Sequence, residues 1–443
     1  MKTSNIENTK RIFLLCAAAL CLTVVHAQEP LTLSLATCRE MALGHNEDLQ
    51  RADNAVRQAE LDKRIAFAAY LPKFDAMAMS TYMFPDLDMM GMELQMHGMY
   101  LAGITLMQPL YTGGKIRAGN RLAEIGRTSM QENRRKTRMQ VLADADKAYW
   151  NFIAVAWKVR MLEAYKTQMD SLYSQVETSL AAGMATENDL LRIRTKQSDI
   201  RYQWQKARNG ANLCRLALCN VIGCPLETQI VPTDTVVHVA PVAPMDTDIS
   251  LRPELALLRK QVEVAEQQVK VARADMLPTV GLSVGYSYFG NIKLNGMTQD
   301  ANGNAFPYTQ RFNDGIGLVM ASVSIPIFHW GENQRKVKKA KLDVENARLD
   351  LQQNTRLLSI EAQQAVQNVM DSYRLIETAE LGATEAGDNL RILRDRYLNG
   401  MCTLTDLLDA QSQWQQAESN LIDARTQCKI YETEYLRVTG RLD

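Results

Sequence analysis

The stretch "MFPDLDMMGMELQMHGMY", residues 83–100, holds Met83, Met89, Met90, Met92, Met96, Met99 and His97. Thioethers and imidazole are ligands for Cu(I), and a flexible apolar surface loop has the same composition. Asp406 and Asp409, in "TDLLDA", are three residues apart and share one face of a helix. Acidic residues are also favoured in a first helical turn by the dipole alone. Beyond the first 27 residues the cysteines are Cys38, Cys214, Cys219, Cys224, Cys402 and Cys428. Their even number permits disulfides in an exported chain. The spacing of five and five from Cys214 to Cys224 matches no zinc pattern, and small buried residues at helix contacts account for the set without chemistry. His45, His97, His238 and His329 are scattered, and no nucleophile elbow, phosphate loop or HExxH pair occurs. The chain is therefore expected to be no enzyme, with no cofactor and no resident metal.

The elements that carry these residues follow an unusual order. "ITLMQPLYTGGKI" (Ile104–Ile116) reads as a strand that stops at a proline and a glycine pair. From Ile116 to Ala182 there follow 67 residues with no proline and only Gly119 and Gly126, which predicts one very long helix. "VSIPIFHWGENQRKV", from Val323, repeats the grammar. Pro109 and Pro326, Gly183 and Gly400, and Gly223 and Gly440 are each 217 residues apart. A whole half-chain is thus duplicated. Each half reads as a helix (about Leu33–Tyr70, then Pro253–Met276), a Leu-Pro pair, two strands, and two long helices joined by a glycine turn. "CPLETQIVPTDTVVHVAPVAPMDTD" between the halves reads as a linker with one short strand. The expected division is an export signal over 1–27, a first repeat over 28–223, a linker over 224–250 and a second repeat over 251–443.

In "TVGLSVGYSYFG", Val280, Leu282, Val284, Tyr286 and Tyr288 share one face, and Gly281, Ser283, Gly285 and Ser287 the other. Such a strand suits a barrel wall between lipid and water, and the same alternation occurs in a sandwich. On the last helix, Leu407, Ala410, Trp414, Ala417, Leu421, Ala424, Cys428, Tyr431, Tyr435 and Val438 step by three and four. Moved back by 217, the seam becomes Leu190, Ile193, Gln197, Ile200, Trp204, Ala207, Ala211, Cys214, Leu218 and Val221. A period of 3.5 marks helices coiled about neighbours. A helix of some 66 residues is about 100 Å long, too long for a compact domain of this mass, so it must project away from the strands.

Lys2, Lys10 and Arg11 precede an apolar stretch, Ile12–Val25, and "VHA" offers a cleavage site before Gln28. This is a secretory signal pattern. Cys16 and Cys21 each follow a leucine, which disfavours a lipoprotein. Removing Lys2, Lys10, Arg11 and Glu7 leaves 47 basic and 49 acidic residues, a charge of −2. No basic excess points to nucleic acid. The apolar run "WNFIAVAW", Trp150–Trp157, is expected to be packing. If an exported chain without a spanning helix enters a membrane, it must do so as strands.

With these features in order, the chain resembles the TolC-type outer-membrane efflux proteins, from about Leu33 to Gly440. The resemblance rests on the Leu-Pro before each strand pair, on "QPLYTGGK" and "IPIFHWGENQ" leaving each pair, and on the turns "AAGMATENDLL" and "YLNGMCTLTDLLDA". It implies a homotrimer in the outer membrane of a Gram-negative bacterium, with four strands per chain in one 12-stranded barrel, continuous with a long periplasmic α-helical barrel. Pro109 and Pro326 would end the strand ladder, for want of an N–H, and Gly113, Gly114 and Gly331 would allow the change of direction. Asp406 and Asp409 match two rings of aspartates at a pore aperture, where six carboxylates near one axis attract cations. Asp189 and Tyr397 match contacts that hold the tip shut, while an arginine of that network would fall near Cys402. Gly183, Met184, Gly400 and Met401 match turns that dock a periplasmic adaptor. The function implied is a passive exit duct fed by an inner-membrane pump of the RND or ABC type, surrounded by outer-membrane lipid. A copper-efflux duct and a non-conducting coiled-coil scaffold or adhesin are the alternatives, and the cargo stays open.

Overall fold

The computed structural model describes residues 31–89, 92–233, 245–299 and 304–442. The export segment, Met90, His238 and much of the linker lie outside them. Along the chain come β1 (Leu31–Leu33), α1 (Leu35–His45), α2 (Glu47–Ala68), β2 (Lys73–Tyr82), β3 (Leu87–Met89), β4 (Met92–Gln95) and β5 (His97–Thr112). Then follow α3 (Lys115–Ala181), α4 (Glu187–Ile222), β6 (Ile230–Pro232) and α5 (Pro253–Ala274). The chain closes with β7 (Thr279–Gln299), β8 (Ala305–Ser324), α6 (Glu332–Leu398) and α7 (Leu404–Val438).

The two long helices have the same length, 67 residues each, and their first residues, Lys115 and Glu332, are 217 apart. At about 1.5 Å per residue each runs about 100 Å. Both start from a left-handed glycine, Gly114 (φ 87°) and Gly331 (φ 77°). None of the twenty seam positions on α4 and α7 is exposed. No described helix is long and apolar enough to cross a membrane.

Four long strands form one antiparallel sheet in the order β2-β5-β7-β8. The short β3–β4 hairpin joins it where β4 pairs the far part of β7. The alternation read in β7 reappears as register. Tyr286 stands opposite Ile104, and Val284 opposite Leu106 and Val319, while Gly285 and Ser287 sit opposite Thr105 and Gly103. Pro109 does not end the ladder. β5 continues to Thr112, and the register slips by one residue between Pro109 and Tyr111. The missing N–H is absorbed as a bulge inside the strand. Pro326 does fall beyond its strand, which ends at Ser324.

The expected helix Leu33–Tyr70 is instead a strand and two helices. Ser34 caps α1, accepting from the Thr37 amide. Asn46 ends α1 with its backbone and starts α2 with its side chain, which accepts from Leu49 at 3.1 Å. β1 pairs in parallel with β6. Against this small sheet lies the largest core, which includes Leu33, Cys38, Tyr149, Ile153, Leu218 and Ile222. Trp150 and Phe152 of the expected packing run are buried in it. The core sits midway along α3, far from both of its ends.

Candidate functional site

The end of the molecule remote from the sheet is built from two turns with the same local chemistry. After α3, Gly183 takes φ 74°, and after α6, Gly400 takes φ 71°. A Cβ at either would meet nothing within 4 Å; the left-handed backbone, not crowding, calls for glycine there. Met184 and Met401 follow, 79% and 74% exposed. Thr186 and Thr403 then cap α4 and α7, each in a reciprocal box with the acid three residues on.

Those acids are Asp189 and Asp406. Asp189 Oδ2 accepts from the Thr186 amide at 3.1 Å and from its hydroxyl at 2.7 Å. Asp406 Oδ2 accepts from the Thr403 amide at 2.9 Å and hydroxyl at 2.6 Å. The hydrogen bonds from Thr403 hold the Asp406 carboxyl below its usual range. Capping is therefore a structural duty of Asp406, and it occupies one carboxylate oxygen. Asp409 lies one turn further along α7 and is exposed, as is Asp406. Between and beside them, Leu404, Leu407 and Ala410 are buried. Leu404 and Leu407 pack on Tyr165, Met169 and Val176 of α3 and Ile193 of α4. The same packing that seats the start of α7 thus leaves both carboxylates outward.

Tyr397 is half-buried against this cluster. Burial raises its hydroxyl pKa, and the charges of Asp189 and then Cys402 add to the rise. The structure so brings Asp189 and Tyr397 to one neighbourhood. Cys402 stands where an arginine was expected, and its thiol donates to the Leu393 carbonyl at 3.3 Å. An arginine does reach across the tip from elsewhere: Arg192 of α4 donates to the Thr405 hydroxyl of α7. Its place on the exposed side of the α4 seam gave the sequence no signal for that contact. Just inside the turns, a cavity of about 250 Å³ lies among Tyr397, Leu407, Gln411 and Trp414.

At the opposite end, Gly113 (φ 64°) and Gly114 turn the chain from β5 into α3. A Cβ on Gly113 would lie 2.6 Å from the Ala274 carbonyl of α5, so this glycine serves both backbone and packing. Gly331 makes the matching turn from β8 into α6 with open space around it. The sheet above exposes Phe74, Ile104, Tyr286, Leu318 and Val319 at 54–74%. Of the copper candidates, His97 is already engaged. Its Nε2 is 2.8 Å from Asp86 Oδ1, and its ring stacks on Tyr82 at 4.7 Å.

A buried site that sequence reasoning missed lies at mid-length. Asp146 of α3 is fully buried and holds Arg39 of α1 through two hydrogen bonds, 2.7 and 2.6 Å. It also accepts from the Thr433 hydroxyl of α7 at 2.7 Å. One carboxylate thereby ties the first small helix and both halves of the chain together. The only hint in the sequence was an acid beside an otherwise apolar stretch.

Comparison with known proteins gives a consistent answer. The model of the outer membrane efflux protein family matches residues 38–223 and 248–441. The alkaline protease secretion protein AprF of Pseudomonas aeruginosa is 24% identical over 77% of this chain and 68% of its own. The outer membrane efflux protein BepC of Brucella suis is 22% identical over 97% of this chain and 90% of its own. Among solved structures, the CmeC outer membrane channel of Campylobacter jejuni has a TM-score of 0.76 at 19% identity, over 92% of this chain and 85% of that one. Two capped tips, about 100 Å of paired helix and an apolar sheet agree with what these matches say: the chain belongs to the outer membrane efflux protein family, of the TolC type, and is seated in the outer membrane and extends into the periplasm.

Proposed function

We propose that the protein is the exit duct of a tripartite efflux or type I secretion assembly. It is a passive channel that receives cargo from a periplasmic adaptor and an inner-membrane pump of the RND or ABC type. The observation that carries this reading is the arrangement of one chain: four long strands at one end, and at the other two capped turns of the same design, about 100 Å away. An open four-stranded sheet with uncovered apolar side chains is no stable unit alone. Three copies supply twelve strands, a closed wall that leaves no edge.

In that trimer the tips meet near the axis. Asp406 and Asp409, outward on each α7, make the aperture rings. Asp189 and Tyr397 hold the neighbouring turns, and Gly183, Met184, Gly400 and Met401 are the surface an adaptor hairpin meets. Pro109, Gly113, Gly114, Pro326 and Gly331 form the passage from barrel to helix. The energy for transport comes from the pump, so the duct needs no catalytic group.

Single-channel conductance in a planar bilayer tests the reading, with the double variant Asp406→Asn/Asp409→Asn alongside the parent. Small cation-selective currents are expected from the parent, and larger or less selective currents from the variant. Insertion without conductance in both proteins would favour the scaffold reading and remove the aperture roles.

A further inference from the structure

Four described helices end in the same backbone device. At Gly183, Gly223, Gly400 and Gly440 the chain is left-handed, with φ of 74, 71, 71 and 75°. The amide of the next residue reaches back to the carbonyl five residues earlier: Met184 to Ser179, Cys224 to Cys219, Met401 to Arg396, and Arg441 to Leu436. This closure, the Schellman motif, brings the side chains at its two ends into contact, and an apolar pair commonly fills that contact. One of the four carries two cysteines instead. The offset of 217 places Leu436 and Arg441 opposite Cys219 and Cys224, so the repeat does not account for the pair.

The contact is close. The Cys224 amide donates to the Cys219 carbonyl at 3.0 Å, the bond that closes the motif and sets the two cysteines at its two ends. Cys219 is fully buried and Cys224 half-buried. Cys214 is no competitor for Cys219. Five residues of continuous helix separate their Cα atoms by at least ~7.5 Å of rise, beyond the ~7 Å limit for bridging. Arg215 Nη1 lies 4.0 Å from Cys219 Sγ, and the same nitrogen donates to the carbonyls of Leu226 and Thr228 at 2.5 and 2.7 Å. The segment from Cys224 to β6 is therefore already clamped to the last turns of α4. Its compartment is the periplasm, which is oxidising.

We propose that Cys219 and Cys224 form an intrachain disulfide in the exported protein, made by a protein-disulfide oxidant of the periplasm. The Cys224 thiolate attacks one sulfur of the oxidant's disulfide, which gives a mixed disulfide and frees the oxidant's other thiolate. The Cys219 thiolate then attacks the Cys224 sulfur and displaces the oxidant's remaining sulfur. Two thiols have lost two protons and two electrons, and the oxidant leaves as a dithiol. The cation of Arg215 favours the Cys219 thiolate. Burial above all holds the folded Cys219 thiol up at about 11. Closure thus belongs to folding, before Cys219 is sealed into the core. The product ties the end of α4 covalently to the strand segment that pairs with β1.

The test uses the full chain recovered from outer membranes, quenched in acid, denatured and treated with N-ethylmaleimide before and after reduction. Trypsin separates Cys214, in the peptide ending at Arg215, from the peptide Leu216–Arg259, which holds both Cys219 and Cys224. The expected Leu216–Arg259 peptide is two hydrogens lighter than the dithiol, carries no maleimide before reduction and gains two after it. In Cys219→Ser and in Cys224→Ser the remaining thiol takes one maleimide without reduction. Two maleimides on the parent peptide before reduction, or a cross-link from Cys224 to Cys214, would overturn the proposal.

Discussion

Asp146 shows what a single buried charge does in this chain. It has no exposure and accepts two hydrogen bonds from Arg39 and one from Thr433. Removing one member of a buried ion pair costs about 3–5 kcal/mol, and because the Arg39 side chain left behind is 29% exposed the lower end, about 3 kcal/mol, is an upper bound here. Asp146→Ala is accordingly expected to lower stability by up to that amount, and Asp146→Asn by less, because the amide still offers Thr433 an acceptor. Thermal melts of the helical circular-dichroism signal measure both, and equal losses would discount the charge. Asp406 behaves differently because it is exposed. Its pKa in the fold is depressed by Thr403, so its cap stabilises above the unfolded value, about 4. That contribution is lost as pH falls through the lower folded value. The melting temperature of Asp406→Asn should therefore trail the parent at neutral pH and converge with it in acid. A gap that persists at pH 2 would mean that the side chain acts through its shape.

At the scale of elements, four helix ends share a left-handed glycine but differ in what surrounds it. Gly183 and Gly400 have open space, whereas a Cβ on Gly223 would fall 2.4 Å from His45 Cβ and one on Gly440 2.6 Å from the Leu251 backbone. Alanine at Gly183 or Gly400 should cost about 1 kcal/mol, the backbone penalty alone. At Gly223 or Gly440 the clash adds a further 1–3 kcal/mol or so. Denaturation of the four variants ranks them, and a tip glycine as costly as Gly223 would contradict the argument. These glycines were legible in the sequence because they punctuate proline-free runs. The long helices were legible for the same reason, with α3 expected over 116–182 and found over Lys115–Ala181. The 3.5-residue seam was legible because a long coiled helix repeats one local rule many times. The β1–β6 pair was not, since two three-residue strands some 200 positions apart have no period to read. Nor was the break at Asn46, where one residue both ends α1 and caps α2 without proline or glycine. At the tip the family resemblance implied that Asp189 and Tyr397 act together, whereas the contact of Arg192 with Thr405 depends on how α4 meets α7.

For the whole molecule, the decisive question is which side of the sheet meets lipid. Ile104 faces the same side as Tyr286 and Val284, whereas Thr105 faces the side of Asp75, Gly285 and Ser287. One step along β5 therefore moves a side chain from the apolar face to the face of small and polar residues. In the barrel proposed above, the first face is outside and the second lines water. An arginine on a lipid face near the bilayer midplane costs about 2–4 kcal/mol, while a lumen position tolerates charge. Thr105 also has Asp75 as its cross-strand neighbour, a partner for a new cation. Ile104→Arg should thus reduce the amount of folded protein recovered from outer membranes by a large factor, and Thr105→Arg should leave it near the parental level. Urea titration of the two variants refolded in lipid vesicles gives the same comparison as a free energy. The reverse order would turn the barrel inside out, and equal tolerance would mean that neither face meets lipid. In that case the long helices would have no membrane to project from, and the continuous duct from tip to surface would fail with the barrel.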